Sequence, residues 1–100
     1  MIKAFFLGFI KIHILYHASK EPIYGLEILE ELGRHGYRLS PGTLYPTLHR
    51  LEREGYLTVQ SKVVEGKVRK YYSTTKRGRT VLGESRRKIA ELVEEVLLDK

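Results

Sequence analysis

Apolar residues recur at helical spacing at the start of the chain, and they predict a helix over residues 2–18. At about 100° per residue this helix has two apolar stripes on roughly opposite sides. The first stripe consists of Phe5, Phe9, Ile12 and Tyr16, and the second consists of Phe6, Ile10 and Ile14. Because one small domain can cover only one of them, we expect the second stripe to lie in a dimer interface.

A second helix is predicted over residues 24–35. Its inward residues are Ile28, Leu29 and Leu32, which lie on one helical face. Gly36 follows as a left-handed C-cap, the position that glycine favours at helix ends. A further helix begins a few residues later, so the pair forms a helix-turn-helix.

This third helix, residues 41–54, has one buried and one polar face. Ser40 is a suitable N-cap, and Pro41 suits the first turn because its missing N–H has no intrahelical partner there. The buried face carries Leu44, Leu48 and Leu51 at i, i+4 and i+7. The other face carries Thr43, Tyr45, Pro46, His49 and Arg50. Such groups donate to phosphates and contact base edges, so this face predicts a DNA recognition helix.

The hydrophobic period changes from 3.6 to 2 after Tyr56, which predicts a β-hairpin. Residues 57–63 alternate between apolar and polar, Glu65 and Gly66 interrupt the pattern, and residues 68–74 alternate again. A hairpin directly after a recognition helix is the wing of a winged helix. Its predicted tip carries Lys67, Arg69 and Lys70, which we assign to contacts with the DNA backbone.

A last helix, capped by Thr75, is predicted from Lys76 to about Leu98. It is too long to pack entirely on the preceding residues, so a dimerisation helix is expected, with Ile89, Leu92, Val93 and Val96 in the interface. The predicted fold class is mainly α with a β-hairpin wing (α+β). Residues 1–75 would form the winged helix-turn-helix, whose first helix also joins the dimer, and residues 76–100 the dimerisation helix.

The positive charge of the chain is confined to its middle. Residues 34–79 hold eleven Lys or Arg against three acidic residues, a local formal charge of +8, whereas the remaining residues hold seven basic and nine acidic ones. Such a distribution is suited to a polyanion. No basic amphipathic helix that would favour a membrane surface lies in this segment.

Other classes of protein are disfavoured by composition. The chain has no Cys, which excludes disulfides and thiol chemistry and indicates the cytoplasm. The apolar run at residues 4–10 is too short to span a bilayer. With Asp99 as the single Asp and no glycine-rich phosphate loop, we expect neither an enzyme nor a cofactor.

His13 and His17 stand at i, i+4 on the first helix, a spacing that can hold a metal. No Cys or carboxylate accompanies them locally, and a metal sensor would need at least three ligands. We therefore predict an interfacial histidine pair and no metal site.

Three motifs resemble the PadR family of winged-helix transcriptional regulators. They are IYGLEI at 23–28, LSPGTLYPTLHRLEREGYL at 39–57 and EGKVRKYYSTTKRG at 65–78. The resemblance implies a homodimer on pseudo-palindromic operator DNA, with the third helix in the major groove. It also implies that Ser40, Thr43, Tyr45 and Pro46 lie at the DNA surface and that Tyr24 lies near a phosphate. Many members are repressors that respond to small molecules, and the resemblance does not decide whether this chain binds a small-molecule effector.

The sequence thus predicts a DNA-binding transcriptional regulator, a repressor that binds double-stranded DNA as a homodimer. The alternative is a nucleic-acid-binding architectural protein that uses the same winged helix without sequence preference. Comparing binding to specific and to random duplex separates the two.

Overall fold

The computed structural model describes residues 2–100 as helices flanking a small antiparallel sheet. The elements are α1 (Ile2–Lys20), β1 (Ile23–Tyr24), α2 (Gly25–Arg34), α3 (Pro41–Arg53), β2 (Leu57–Val64), β3 (Lys67–Thr74), α4 (Lys76–Leu92) and a π-helical turn (Val93–Leu97). The predicted α+β class is confirmed. The order of α2, α3 and the β2–β3 hairpin is that of a winged helix-turn-helix.

Two glycines end the helices of this motif in the same way. Gly36 and Gly55 have φ angles of +84° and +85°, in the left-handed region that glycine tolerates. After α2, the Tyr37 N–H donates to the Leu32 carbonyl at 2.9 Å, and after α3 the Tyr56 N–H donates to the Leu51 carbonyl at 2.9 Å. Both ends are Schellman motifs, and Gly36 is the left-handed glycine that the sequence predicts at the end of α2, directly after the C-cap residue His35.

The sheet has the order β1-β3-β2, with both strand pairs antiparallel. The hairpin turn is Glu65–Gly66, whose φ angles of 51° and 77° are those of a two-residue type I′ turn. The sequence predicts this hairpin but not β1, in which Ile23 and Tyr24 pair with Tyr72 and Tyr71 of β3. β1 therefore joins the start of α2 to the wing.

The core lies between α1, the helix-turn-helix and the inner face of the sheet. Ile10 and Ile14 are 4% and 2% exposed and belong to this core. Their assignment to a dimer interface is therefore wrong, because they pack inside the protomer and leave no surface for a partner. The buried Thr74 hydroxyl donates to the Leu15 carbonyl at 2.7 Å, which fixes β3 against α1.

Leu82, which is 4% exposed, is the last buried residue of the C-terminal helix. Residues 86–100 are all exposed, and the molecule measures 54 × 28 × 20 Å along its principal axes. The sequence predicts one α-helix from Lys76 to about Leu98. In the structure the α-helix ends at Leu92, and the next residues, Val93–Leu97, form the π-helical turn. A 3-4 spacing of apolar residues does not distinguish these two kinds of turn.

Between residues 2 and 100, no helix is long and apolar enough to cross a membrane.

Candidate nucleic-acid interface

Helix α3 presents its polar face to solvent, as its sequence predicts. Leu44, Leu48 and Leu51 are buried, whereas the remaining side chains on the opposite side are exposed: Thr43, Tyr45, Pro46, His49 and Arg50. Ser40 occupies the N-cap position without a side-chain bond to the helix amides. Its hydroxyl instead donates to the Thr43 hydroxyl at 3.4 Å, so both hydroxyls lie together at the surface.

Pro46 lies inside α3 without ending the helix. A proline there has no N–H to donate to the carbonyl of Gly42, four residues back. Gly42 has no side chain to add to the crowding, and the space where its Cβ would lie meets only the Ser40 hydroxyl oxygen at 3.7 Å. The helix thus carries an exposed proline on its polar side, and the Gly42 carbonyl there lacks the N–H donor that any other residue at position 46 would supply.

An open groove of about 600 Å³ separates α3 from β3 and from the start of α2. It is lined by five of the residues assigned to DNA from the sequence, namely Tyr24, Tyr45, His49, Arg69 and Lys70. These residues come from three segments that are distant in the chain. The groove therefore combines aromatic, imidazole and cationic side chains on one concave surface.

Tyr45 is held in this groove by its contact with Gly25. A Cβ added to Gly25 would lie 2.5 Å from the Tyr45 hydroxyl oxygen. The Tyr45 ring can therefore occupy this position only because residue 25 has no side chain. Tyr45 is nevertheless 42% exposed. Below it, Tyr72 is almost fully buried, and burial raises the pKa of its hydroxyl, with Glu52 and Tyr45 adding to the shift.

The outer face of the sheet carries a stack of rings and cations. The Tyr24 and Tyr71 rings meet edge to face at 5.4 Å, and the Arg69 guanidinium lies 4.6 Å from the centre of the Tyr24 ring. Interaction with the Tyr71 hydroxyl is the main cause that raises the pKa of Arg69 above its already high ordinary value. The guanidinium is charged at physiological pH in any case.

The wing residues do not share one location. Lys67 directly follows the turn, whereas Arg69 and Lys70 pair with Lys62 and Ser61, well inside the hairpin. Placing Arg69 and Lys70 at the tip is therefore wrong, because each residue of β3 moves about 3.3 Å further from the turn. This shift is what brings Arg69 and Lys70 into the groove with Tyr24.

Leu26 also lines the groove, and the sequence did not single it out. It is 56% exposed although it belongs to the apolar segment of α2. Leu26 lies two residues before Ile28, about 200° away from the buried stripe, and that phase is the signal that would have found it. Val68 lines the groove as well and is 69% exposed.

The exposed apolar side chains outside the groove lie mainly on α1 and the C-terminal helix. Of the predicted dimer residues, those that are exposed are Phe6 (45%), Ile89 (37%), Leu92 (51%), Val93 (36%) and Val96 (63%). Phe5, from the other stripe of α1, is 53% exposed. These residues form the candidate dimer surface.

A third histidine, His35 at the C-cap of α2, joins the pair that the sequence singles out on α1. The His13 and His35 ring centres are 4.5 Å apart. Burial lowers the pKa of His13, and the charges of His35 and His17 lower it further.

These features define a winged-helix protein with an aromatic and cationic groove between α3, β3 and the start of α2. The model of the transcriptional regulator PadR-like family matches residues 14–84. The transcriptional regulator Rv3488 of Mycobacterium tuberculosis is 51% identical over 88 residues, which cover 88% of this chain and 82% of that protein. The chain therefore belongs to the PadR-like family of transcriptional regulators.

Solved structures of the family share the fold. A PadR-like transcription factor from Bacteroides fragilis has a TM-score of 0.84 at 31% identity, covering 98% of this chain and 96% of that one. A PadR family transcriptional regulator from Eggerthella lenta has a TM-score of 0.83 at 33% identity, with 96% and 85% covered. The family is one of transcriptional regulators, which act by binding DNA.

Proposed function

We propose that the chain is a sequence-specific regulator that binds a pseudo-palindromic operator as a homodimer. The groove between α3 and β3 is the main support for this proposal. It brings together residues from three segments of the chain that the sequence predicts as DNA contacts. In this arrangement α3 enters the major groove and contacts base edges through Thr43, Tyr45 and Pro46. His49 and Arg50 lie one turn further along.

The wing and the helix ends would hold the DNA backbone. Arg69 and Lys70 face the groove and Lys67 follows the turn, so they can reach flanking phosphates. Tyr24 and Ser40 supply hydroxyls near the starts of α2 and α3, where helix N-termini favour phosphate. These contacts would orient α3 without specifying sequence.

The exposed apolar residues of α1 and the C-terminal helix support a dimer. Phe6, Leu92 and Val96 are each at least 45% exposed, and large apolar surfaces of this kind mark interfaces. A two-fold dimer would present two copies of α3, and repression needs only that the bound dimer occupies the operator. A regulator acts where the DNA is, and we place it in the cytoplasm.

Selection from a random duplex pool, followed by footprinting, tests this proposal. We expect enrichment of two inverted half-sites about one helical turn apart, roughly 10 base pairs between centres. Undiminished binding without any enriched sequence would instead support the architectural alternative. A single unrepeated site would contradict the dimer.

A further inference from the structure

Three of the four histidines in the chain lie together, away from the groove. His13 and His17 are one turn apart on α1, and His35 caps α2. One ring nitrogen from each lies within 4.8 Å of the others. His13 and His17 are half-buried, whereas His35 is exposed.

Three imidazoles are a ligand set that suits zinc and similar transition metals, whereas Mg²⁺ and Ca²⁺ prefer oxygen. A tetrahedral zinc site with Zn–N distances near 2.05 Å places its nitrogens about 3.3 Å apart. The three nitrogens would therefore have to approach by up to about 1.5 Å. The His13 and His35 rings stack at an interplanar angle of 24°, so one of them must rotate, and the exposed His35 has room to do so.

The surroundings provide an opening and an acidic neighbour. A cavity of about 340 Å³ lies beside the histidines, lined also by Tyr16, Leu82 and Arg86. On another side the Glu31 carboxylate lies 3.6 Å from His17 Nε2, and it also pairs with Arg34. Glu31 can orient His17 by accepting a hydrogen bond from its ring, or it can take a coordination position itself.

We propose that His13, His17 and His35 bind one divalent transition-metal ion of the zinc type, with water or Glu31 in the fourth position. The ion would tie α1 to the end of α2, the first helix of the helix-turn-helix. This site is separate from the groove between α3 and β3, and the experiment that tests it does not depend on DNA binding.

Titration of the metal-free full chain with Zn²⁺ by calorimetry tests the site. We expect one ion per chain for the unaltered protein and no binding of Mg²⁺. His35→Ala should weaken Zn²⁺ binding at least tenfold, because even loss of an outer-shell partner of a metal ligand costs about tenfold. The matched control is His49→Ala, which removes the remaining histidine, an exposed residue on α3, and should bind Zn²⁺ unchanged.

Thermal unfolding gives a second readout. Zn²⁺ should raise the Tm of the unaltered chain and of His49→Ala, because an ion that binds only the folded state stabilises it. At the same Zn²⁺ concentration it should raise the Tm of His35→Ala less, because weaker binding stabilises less, and the exposure of His35 keeps that variant folded. Failure of the unaltered chain to bind micromolar Zn²⁺ would overturn the site. Equal binding by the His35→Ala and His49→Ala variants would also overturn it.

Discussion

Tyr45 is the residue on which base recognition is expected to depend most. Tyr45→Ala should lose about 1 to 3 kcal/mol on the operator and much less on random duplex. The fold should survive, because Tyr45 is 42% exposed and lies outside the buried leucine stripe of α3. Affinities for specific and random duplex, measured with a circular dichroism check of folding, provide the test.

Lys70→Ala is the comparison for Tyr45→Ala. Because Lys70 is expected to contact a phosphate, its removal should weaken binding to operator and to random duplex about equally. The slope of log K against log salt concentration should become shallower by about one. If Tyr45→Ala unfolds the chain while the residual binding keeps its specificity, Tyr45 is a core residue and the recognition face is misassigned.

Gly78 is required by the backbone of another segment. A Cβ there would clash with the Tyr56 carbonyl oxygen, which already accepts the Thr75 N–H at 3.0 Å. Gly78→Ala should therefore lower the free energy of unfolding by about 1 to 3 kcal/mol in urea titration. Gly83→Ala, on the same helix, is the matched control.

The site of Gly83 is open, with the nearest atom, Arg87 Nη1, 4.0 Å from the added Cβ. Alanine there should raise the free energy of unfolding by about 0.5 to 1 kcal/mol, as expected for a helix interior. Equal effects of the two substitutions would contradict the role given to Gly78.

Single residues were predictable where local spacing determines their surroundings. The alternation of β3 places Tyr71 and Tyr72 on opposite faces, and Tyr72 is the buried one. His35 was missed because it is eighteen positions from His17, and only the packing of α2 on α1 brings them together. The contact of Tyr45 with Gly25 is invisible for the same reason.

At the scale of elements, Pro46 is expected to lower the stability of α3 while it places an exposed proline ring on the polar face of the helix. An interior proline costs a helix about 3 kcal/mol. Pro46→Ala should raise the free energy of unfolding by more than about 1 kcal/mol, because it restores a donor for the Gly42 carbonyl. If Pro46 contacts DNA, operator affinity should fall in the same variant.

Denaturation of a Pro46→Ala preparation measures its free energy of unfolding, and titration of the same preparation with operator DNA measures its affinity. Arg53→Ala, another exposed position near the end of α3, is the control and should leave stability nearly unchanged. A more stable variant with unaltered operator affinity would show that Pro46 is a tolerated kink.

The order of helices and the hairpin followed from hydrophobic period, caps and turn residues. Two features did not. The pairing of β1 with β3 joins residues nearly fifty positions apart, which no local pattern encodes. The inward side of α1 was ambiguous because both of its stripes are apolar, and tertiary packing selected Ile10 and Ile14 for the core.

For the whole molecule, we propose that a second copy of the chain covers the exposed apolar residues of the C-terminal helix. Replacing both Leu92 and Val96 with Glu should give a folded monomer, because both side chains are more than half exposed and contribute little to the protomer core. Light scattering measures the mass. Arg87→Glu, an exposed polar position on α4, should leave the dimer intact. A dimer that survives the double substitution would contradict the proposed interface.

The charge distribution makes a last prediction about the whole molecule. A local formal charge of +8 in residues 34–79 of each protomer is enough to engage about four phosphates per half-site. Counterion release then gives a slope of log K against log salt near −7 for the dimer. Because most of this term is independent of sequence, random duplex should show nearly the same slope at lower affinity. Filter binding over a range of salt concentrations measures both, and a slope shallower than about −2 would contradict DNA as the partner of this surface.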